Sequence, residues 1–146
     1  MRNLIRRFVV LTLVLASLFS MTAFASTNAQ TEAAVSKVNQ IRIAAGLNPL
    51  STGDAALQSA ADERAEEITQ KFSHTRPDGS AWYTVNPDVM YGENLAENYA
   101  TADAVVNAWM ASPAHKANIL KADFTKVAIS SYEMNGVTYW AEEFCY

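Results

Sequence analysis

Four stretches of the chain differ in how apolar and polar positions alternate. Phe8 to Phe19 is apolar except for Thr12 and Ser17, follows Arg2, Arg6 and Arg7, and precedes Ala23-Phe24-Ala25. A basic start, an apolar run short for a span of roughly 20 residues, and a small-x-small exit before Ser26 predict a cleavable export leader over 1–25. An uncleaved membrane anchor is the alternative. Residues 26–33 are mostly polar and read as a flexible N-terminal segment, leaving a domain over 34–146. From Glu32 onward Val35, Val38, Ile41 and Ala45 recur at helical spacing until Gly46 stops the pattern. After Leu47-Asn48-Pro49-Leu50, Ser51 or Thr52 is placed to cap a second helix with Leu57, Ala61, Ala65 and Ile68 inside. Its Asp62, Glu63, Arg64, Glu66 and Glu67 read as a solvated face.

Phe72 to Tyr91 loses periodicity around Pro77, Gly79 and Pro87, and a loop this long is usually functional or mobile. Thr101 then caps a third helix with Ala104, Val105, Ala108 and Trp109 inward, ended by Ser112-Pro113 and followed by Ile119-Leu120 as an apolar turn. Toward the C-terminus Val127, Ile129 and Ser131 alternate with Ala128, Ser130 and Tyr132. Asn135-Gly136 suits a tight primed turn, and Val137 to Phe144 is rich in strand formers. Helices first and a hairpin last predict an α+β domain with its sheet covered by helices.

Charge and cysteine content narrow the partners. Without the three leader arginines, eight basic residues face fifteen acidic ones over 121 residues, a net charge of −7. Such a surface repels nucleic acid and anionic headgroups, and no second apolar stretch could span a membrane after cleavage. Cys145 is the only cysteine, so an intramolecular disulfide is excluded. A buried thiol in a monomer is the first reading of it, and a covalent dimer the second.

Three polar islands carry the candidate chemistry: Ser73-His74-Thr75-Arg76-Pro77-Asp78-Gly79, Gly92-Glu93-Asn94-Leu95-Ala96, and Ser112-Pro113-Ala114-His115 through Leu120. Each reads as a turn with one ionisable group beside a helix end. Two imidazoles and a carboxylate suit a divalent metal or proton transfer. His74 and Glu93 are 19 residues apart and Glu93 and His115 22 apart, which fits no local ligand motif. From spacing alone, a shared site and separate structural roles stay open. Glu93 is equally readable as a turn-fixing acceptor, Ser112 as a helix stop, and Asn118 as a partner for backbone groups near His115. Trp109, Tyr139, Trp140 and Phe144 read as core or cleft wall.

Taken in order, Val38-Asn39-Gln40-Ile41-Arg42, Ala45 to Leu50, Phe72-Ser73-His74-Thr75 and Gly92 to Ala96 resemble successive motifs of the CAP superfamily. Ala104 to Trp109, Ser112 to Leu120, and Tyr139-Trp140 to Phe144 complete the resemblance in a compact bacterial form. That superfamily contains cysteine-rich secretory proteins, antigen 5 and pathogenesis-related 1 proteins, and its domain is also called SCP. The resemblance covers roughly Ala34 to Phe144 and implies a three-layer α–β–α sandwich whose cleft holds two histidines and two acidic residues. His74, Glu93 and His115 match three of these and are the implied metal ligands, for a divalent ion such as zinc. Ser112 stands where animal and plant relatives carry a second Glu, and Glu97, one turn after Glu93 if that stretch is helical, is the nearest substitute. The implied function is a secreted or cell-envelope binding module for a metal, a lipid or sterol, or another extracellular ligand. The alternative is a metal-assisted hydrolase with Glu93, His74 and His115 as candidate catalytic groups, although the chain lacks a nucleophile elbow and a metalloprotease helix motif. A third reading is an envelope interaction domain with a vestigial cleft.

Overall fold

The first helix, α1, is formed over residues 28–44 of the computed structural model, which describes residues 28–146. The expected leader over 1–25 lies outside the described residues. Residues 28–33, expected as a flexible entry, are helical. They are tied down by contacts that periodicity cannot show: Thr31 Oγ1 donates to Asn28 O (2.9 Å), and Gln30 Oε1 accepts from Ala102 N–H (2.8 Å). Ala34 and Val38 face the core, and Leu47 N–H closes back on Arg42 O (2.9 Å) past Gly46 to end the helix.

Helix α2, Ala55–Gln70, is capped by Asp54, whose Oδ1 accepts from Ala56 and Leu57 N–H. This corrects the expected cap at Ser51 or Thr52, because the Ser51 backbone is drawn into a parallel bridge with Lys126. Helix α3, Ala102–Ala111, has the expected cap in Thr101. Its fully buried residues are Ala102, Val105, Val106 and Trp109, with Ala104 and Ala108 half-buried at the flank. The expected apolar turn after Ser112 is instead helix α4, Pro113–Ile119, because proline at the first helical position starts a helix as readily as it ends the one before.

Three strands form the sheet: β1 (Gly92–Glu97), β2 (Lys126–Met134) and β3 (Val137–Cys145). The order is β1-β3-β2 with both pairings antiparallel. The hairpin turns at Asn135-Gly136, with φ of 54° and 77°, the primed geometry that matches strand twist. Strand β1 replaces an expected turn. Gly-Glu-Asn is a poor strand sequence, so pairing with β3 overrides local preference.

Strand alternation divides the core in two. Ala96, Val127, Ile129, Trp140 and Phe144 pack with Ala34, Val38, Val105, Trp109 and Ile119 from α1, α3 and α4. On the opposite face, Leu57 and Ala61 of α2 pack on Ala128 and Cys145, while Ala65 and Ile68 pack on Leu95 and Ala141. The result is the α–β–α sandwich, with β3 central and buried on both sides. Among the described residues no helix is long and apolar enough to cross a membrane.

Candidate functional site

Strand β1 is an edge strand, and both helical layers reach around it. On the α2 side, Arg64 is fully buried and donates from Nε to Glu93 Oε2 (2.7 Å). Its two terminal nitrogens donate to Glu67 Oε2 (2.7 Å) and to Ser73 O (2.8 Å). Arg64 therefore fixes the start of the loop after α2 as well as the carboxylate on β1. That loop folds back through a bridge between Thr75 and Ala81, with Trp82 N–H on His74 O (3.1 Å). Arg76 closes it onto α2 by pairing with Glu63 and Glu67. His74 is thereby held with Nδ1 2.7 Å from Glu93 Oε1, while more than half of its side chain stays exposed.

Glu93 and Glu143 are directly opposed in the β1–β3 register, and both are buried. Burial alone would raise the Glu93 carboxyl, but hydrogen bonds from His74 and Arg64 and the Arg64 charge hold it below the ordinary value. Burial, then the neighbouring Glu93 charge, pushes Glu143 well above that value. The two carboxyls are thus pushed in opposite directions, Glu93 toward the ionised form and Glu143 toward the protonated one, and neither oxygen of Glu143 has a hydrogen-bond partner among the described residues. With Glu93 ionised, His74 presents Nδ1–H to it and leaves Nε2 as the free ring nitrogen.

On the other side α4 is fastened to β1 by two asparagines. Asn94 Nδ2 donates to His115 O (3.1 Å) and to Glu142 Oε2 (2.8 Å), its cross-strand partner. Asn118 Nδ2 donates to Asn94 Oδ1 (2.9 Å) and to Glu93 O (3.2 Å). Trp109 Nε1 donates to Leu95 O (3.2 Å) from α3. Edge carbonyls of β1 are thus used to seat the helices that carry His115. This imidazole is half-buried, and burial first, then the charge of His74, lowers its proton affinity. A cleft of about 340 Å³ adjoins His115, lined by Phe72, Leu95, Tyr99, Trp109 and Ser112 among others.

Glu93 thus touches His74, and its strand carries α4 with His115. Among the described residues no group of three or more His, Cys, Asp or Glu side chains is arranged to hold a metal ion. Arg64 and His74 each hold one oxygen of Glu93. Glu97 is also displaced from its expected position. The stretch is a strand, so Glu97 lies about 13 Å along β1 from Glu93 rather than one helical turn away. It borders the cleft beside His115, as Ser112 does.

Sequence reading missed Arg64, Glu142 and Glu143. The signal for Arg64 was present: positions 57, 61, 64 and 68 follow the inner stripe of α2, and a charge on that stripe is a buried charge. Glu142 and Glu143 are the consecutive charged residues of a strand that is otherwise uncharged, and only the three-strand topology shows that both faces are covered.

Comparison with known proteins agrees with this architecture. The model of the "Cysteine-rich secretory protein family" matches residues 35–145. A curated relative, the uncharacterized protein YkwD of Bacillus subtilis (strain 168), is 29% identical over 126 residues. The match covers 82% of this chain and 48% of that protein, so the chain spans about half the length of the relative. An outer surface protein of Borrelia burgdorferi superimposes with a TM-score of 0.71 at 23% identity, covering 82% of this chain and 93% of that one. An extracellular protein containing an SCP domain from Bacillus anthracis gives 0.73 at 21% identity, with 82% and 41% covered. Venom allergen-like protein 4 of Schistosoma mansoni gives 0.62 at 12% identity, with 82% and 87% covered. At these identities the solved structures share the fold.

Proposed function

The chain belongs to the cysteine-rich secretory protein (CAP) family, and from that premise we propose that it is a secreted binding module in which His74 and His115 take a divalent transition metal and the cleft beside His115 takes a small extracellular ligand. The observation that carries this reading is the Glu93–His74 hydrogen bond at 2.7 Å, with Arg64 fixing the far oxygen of the same carboxylate. A carboxylate behind a histidine sets the tautomer and raises the basicity of the outer nitrogen, which is how proteins prepare an imidazole ligand. In this reading Glu93 changes from expected ligand to positioning residue.

In this reading a borderline metal such as zinc or copper would be held by two imidazoles, His74 through Nε2 and His115 through its ring. When bound, the metal supplies open coordination positions for an oxygen or nitrogen of the ligand. The chain's own part is to hold both rings and to keep His115 neutral at pH 7 by burial. The apolar wall of Leu95, Trp109 and Tyr99 removes water from the ligand's other end. The hydrolase reading asks Glu93 to accept a proton from water, and its oxygens are already engaged. Export is supported by the sequence pattern over 1–25 and by the extracellular and outer-surface addresses of two relatives.

Thermal unfolding with and without Zn²⁺ tests the proposal. Saturating Zn²⁺ is expected to raise Tm, and the shift is expected to vanish in the His74→Ala/His115→Ala double variant. An unchanged Tm at saturating Zn²⁺ and Cu²⁺ would remove the metal from the proposal.

A further inference from the structure

A second groove lies on the far side of the sheet from His74, along the outer edge of β2. It encloses about 690 Å³ between the start of α1 and the outer side of α2, and its floor is Ile129 to Glu133. Among the described residues strand β2 pairs only with β3, apart from the single bridge at Lys126. Val127 N–H reaches outward to Ser51 O, so by strand alternation Ser131 and Glu133 also turn N–H and C=O outward. Among the described residues nothing pairs with these groups. Ile129 O receives only a long contact from Gln58 Nε2 at 3.5 Å.

The walls of this groove carry one sign of charge. Helix α2 divides its carboxylates between two sides. Glu63 and Glu67 lie on the His74 side and are neutralised by Arg76 and Arg64. Asp62 and Glu66 line the β2 groove, where they meet no cation among the described residues, and Asp62 accepts only from Gln58 (2.9 Å). Glu32 on the α1 wall and Glu133 on the floor are likewise without a described cation. An open strand edge is normally blunted by lysine, proline or a covering loop, and this one is lined by carboxylates instead.

We propose that the β2 edge is a docking site for an extended, lysine- or arginine-rich segment of another protein, which adds as a strand between α1 and α2. Main-chain groups of Ser131 and Glu133 supply the ladder, and the acidic walls select the side chains. The spacing agrees. Asp62 and Glu66 are separated by about 6 Å along the helix axis, and alternate residues on one face of a strand by about 6.8 Å. Basic residues two apart therefore meet Asp62 and Glu66, while those between them face the Glu32 wall. Charge disfavours other occupants: a second copy would bring two acidic grooves together, and polyanions are repelled.

Fluorescence anisotropy with a fluorescein-labelled (Lys-Thr)4 peptide tests this on the purified protein. The peptide is expected to bind, and to bind roughly tenfold or more weakly to Asp62→Lys/Glu66→Lys and to Ser131→Pro, each difference worth about 1.4 kcal/mol or more. Proline at 131 removes an outward N–H at a position where an edge strand tolerates it. A peptide of the same charge with alternate amides N-methylated keeps the test independent of any variant's folding, and it is expected to lose binding to the same degree. Absence of binding, or equal affinity for the N-methylated peptide, would overturn strand addition. Sedimentation showing that the protein dimerises through this edge, with Ser131→Pro restoring the monomer, would overturn the choice of occupant.

Discussion

Arg64 holds a full charge away from water, and the arrangement is stable because every nitrogen has an acceptor: Glu93, Glu67 and the Ser73 carbonyl. Removing it strands the buried Glu93 carboxylate. Arg64→Met is expected to cost about 3–5 kcal/mol in urea unfolding, and Arg64→Lys to recover only part of that, because one ammonium cannot span three acceptors. Arg42 makes the same argument without a carboxylate. It is fully buried and donates to the carbonyls of Asn48, Ile119, Lys121 and Phe124, thereby tying α1 to the end of α4. Arg42→Lys is expected to destabilise by about 2–3 kcal/mol in the same measurement, since at least one buried carbonyl is left unpaired. A variant as stable as the parent would show that water replaces the lost donors. At this scale the sequence was informative about residue type and poor about partners. His74, Glu93 and His115 stood out as isolated polar groups, whereas Arg64 and Arg42 sat inside helical patterns that disguised them as surface charge and motif.

Among the elements, β1 and α4 escaped the sequence reading for different physical reasons. Strand β1 has no intrinsic strand preference and exists because β3 offers it a register, which places Glu93 opposite Glu143 and Asn94 opposite Glu142. Helix α4 is short and hidden by a proline that also terminates α3. Gly92, where β1 begins, is required by contact. A Cβ there would stand 2.7 and 2.9 Å from Phe124 ring atoms, and that ring is stacked on Phe144 at 5.1 Å. Gly92→Ala is expected to cost about 1–3 kcal/mol and to speed amide exchange along β1 before other strands. Unchanged exchange in β1 would mean that the aromatic pair shifts without disturbing the strand.

For the molecule as a whole, the layers were legible early because apolar periodicity of 3.6 gives way to alternation of 2. The charge balance inside the layers was not. Burial pushes the Glu142 carboxyl up to about 8, only partly offset by Asn94, and Glu143 is raised as well. A carboxyl raised in the folded state binds a proton that the unfolded chain has already released, so stability falls as pH rises from about 4.5 through the folded value. His115 acts oppositely below about 6.5, because its folded value is lowered and the unfolded chain holds the extra proton there. Between pH 6.5 and 8 the buried carboxyls therefore dominate. Stability is expected to decline by up to roughly 1.4 kcal/mol per pH unit through Glu142, less steeply as its folded value of about 8 is approached, and Glu143 acts in the same direction. Glu142→Gln is expected to flatten part of that slope and to unfold at higher urea concentration than the parent at pH 8. A flat profile across this window would mean that these carboxyls are ionised when folded.

The single thiol gives the fold a clock. Cys145 is sealed beneath α2 against Leu57, Ala61 and Ala128, at the end of the central strand. A thiol reagent can reach it only when that end of the sheet parts from the helix, so its labelling half-life reports the lifetime of the closed sandwich. No engineered probe is needed to follow that motion. Ligands that brace α2 against the sheet are expected to slow the reaction, and a covalent dimer through this residue would first have to wait for the same opening.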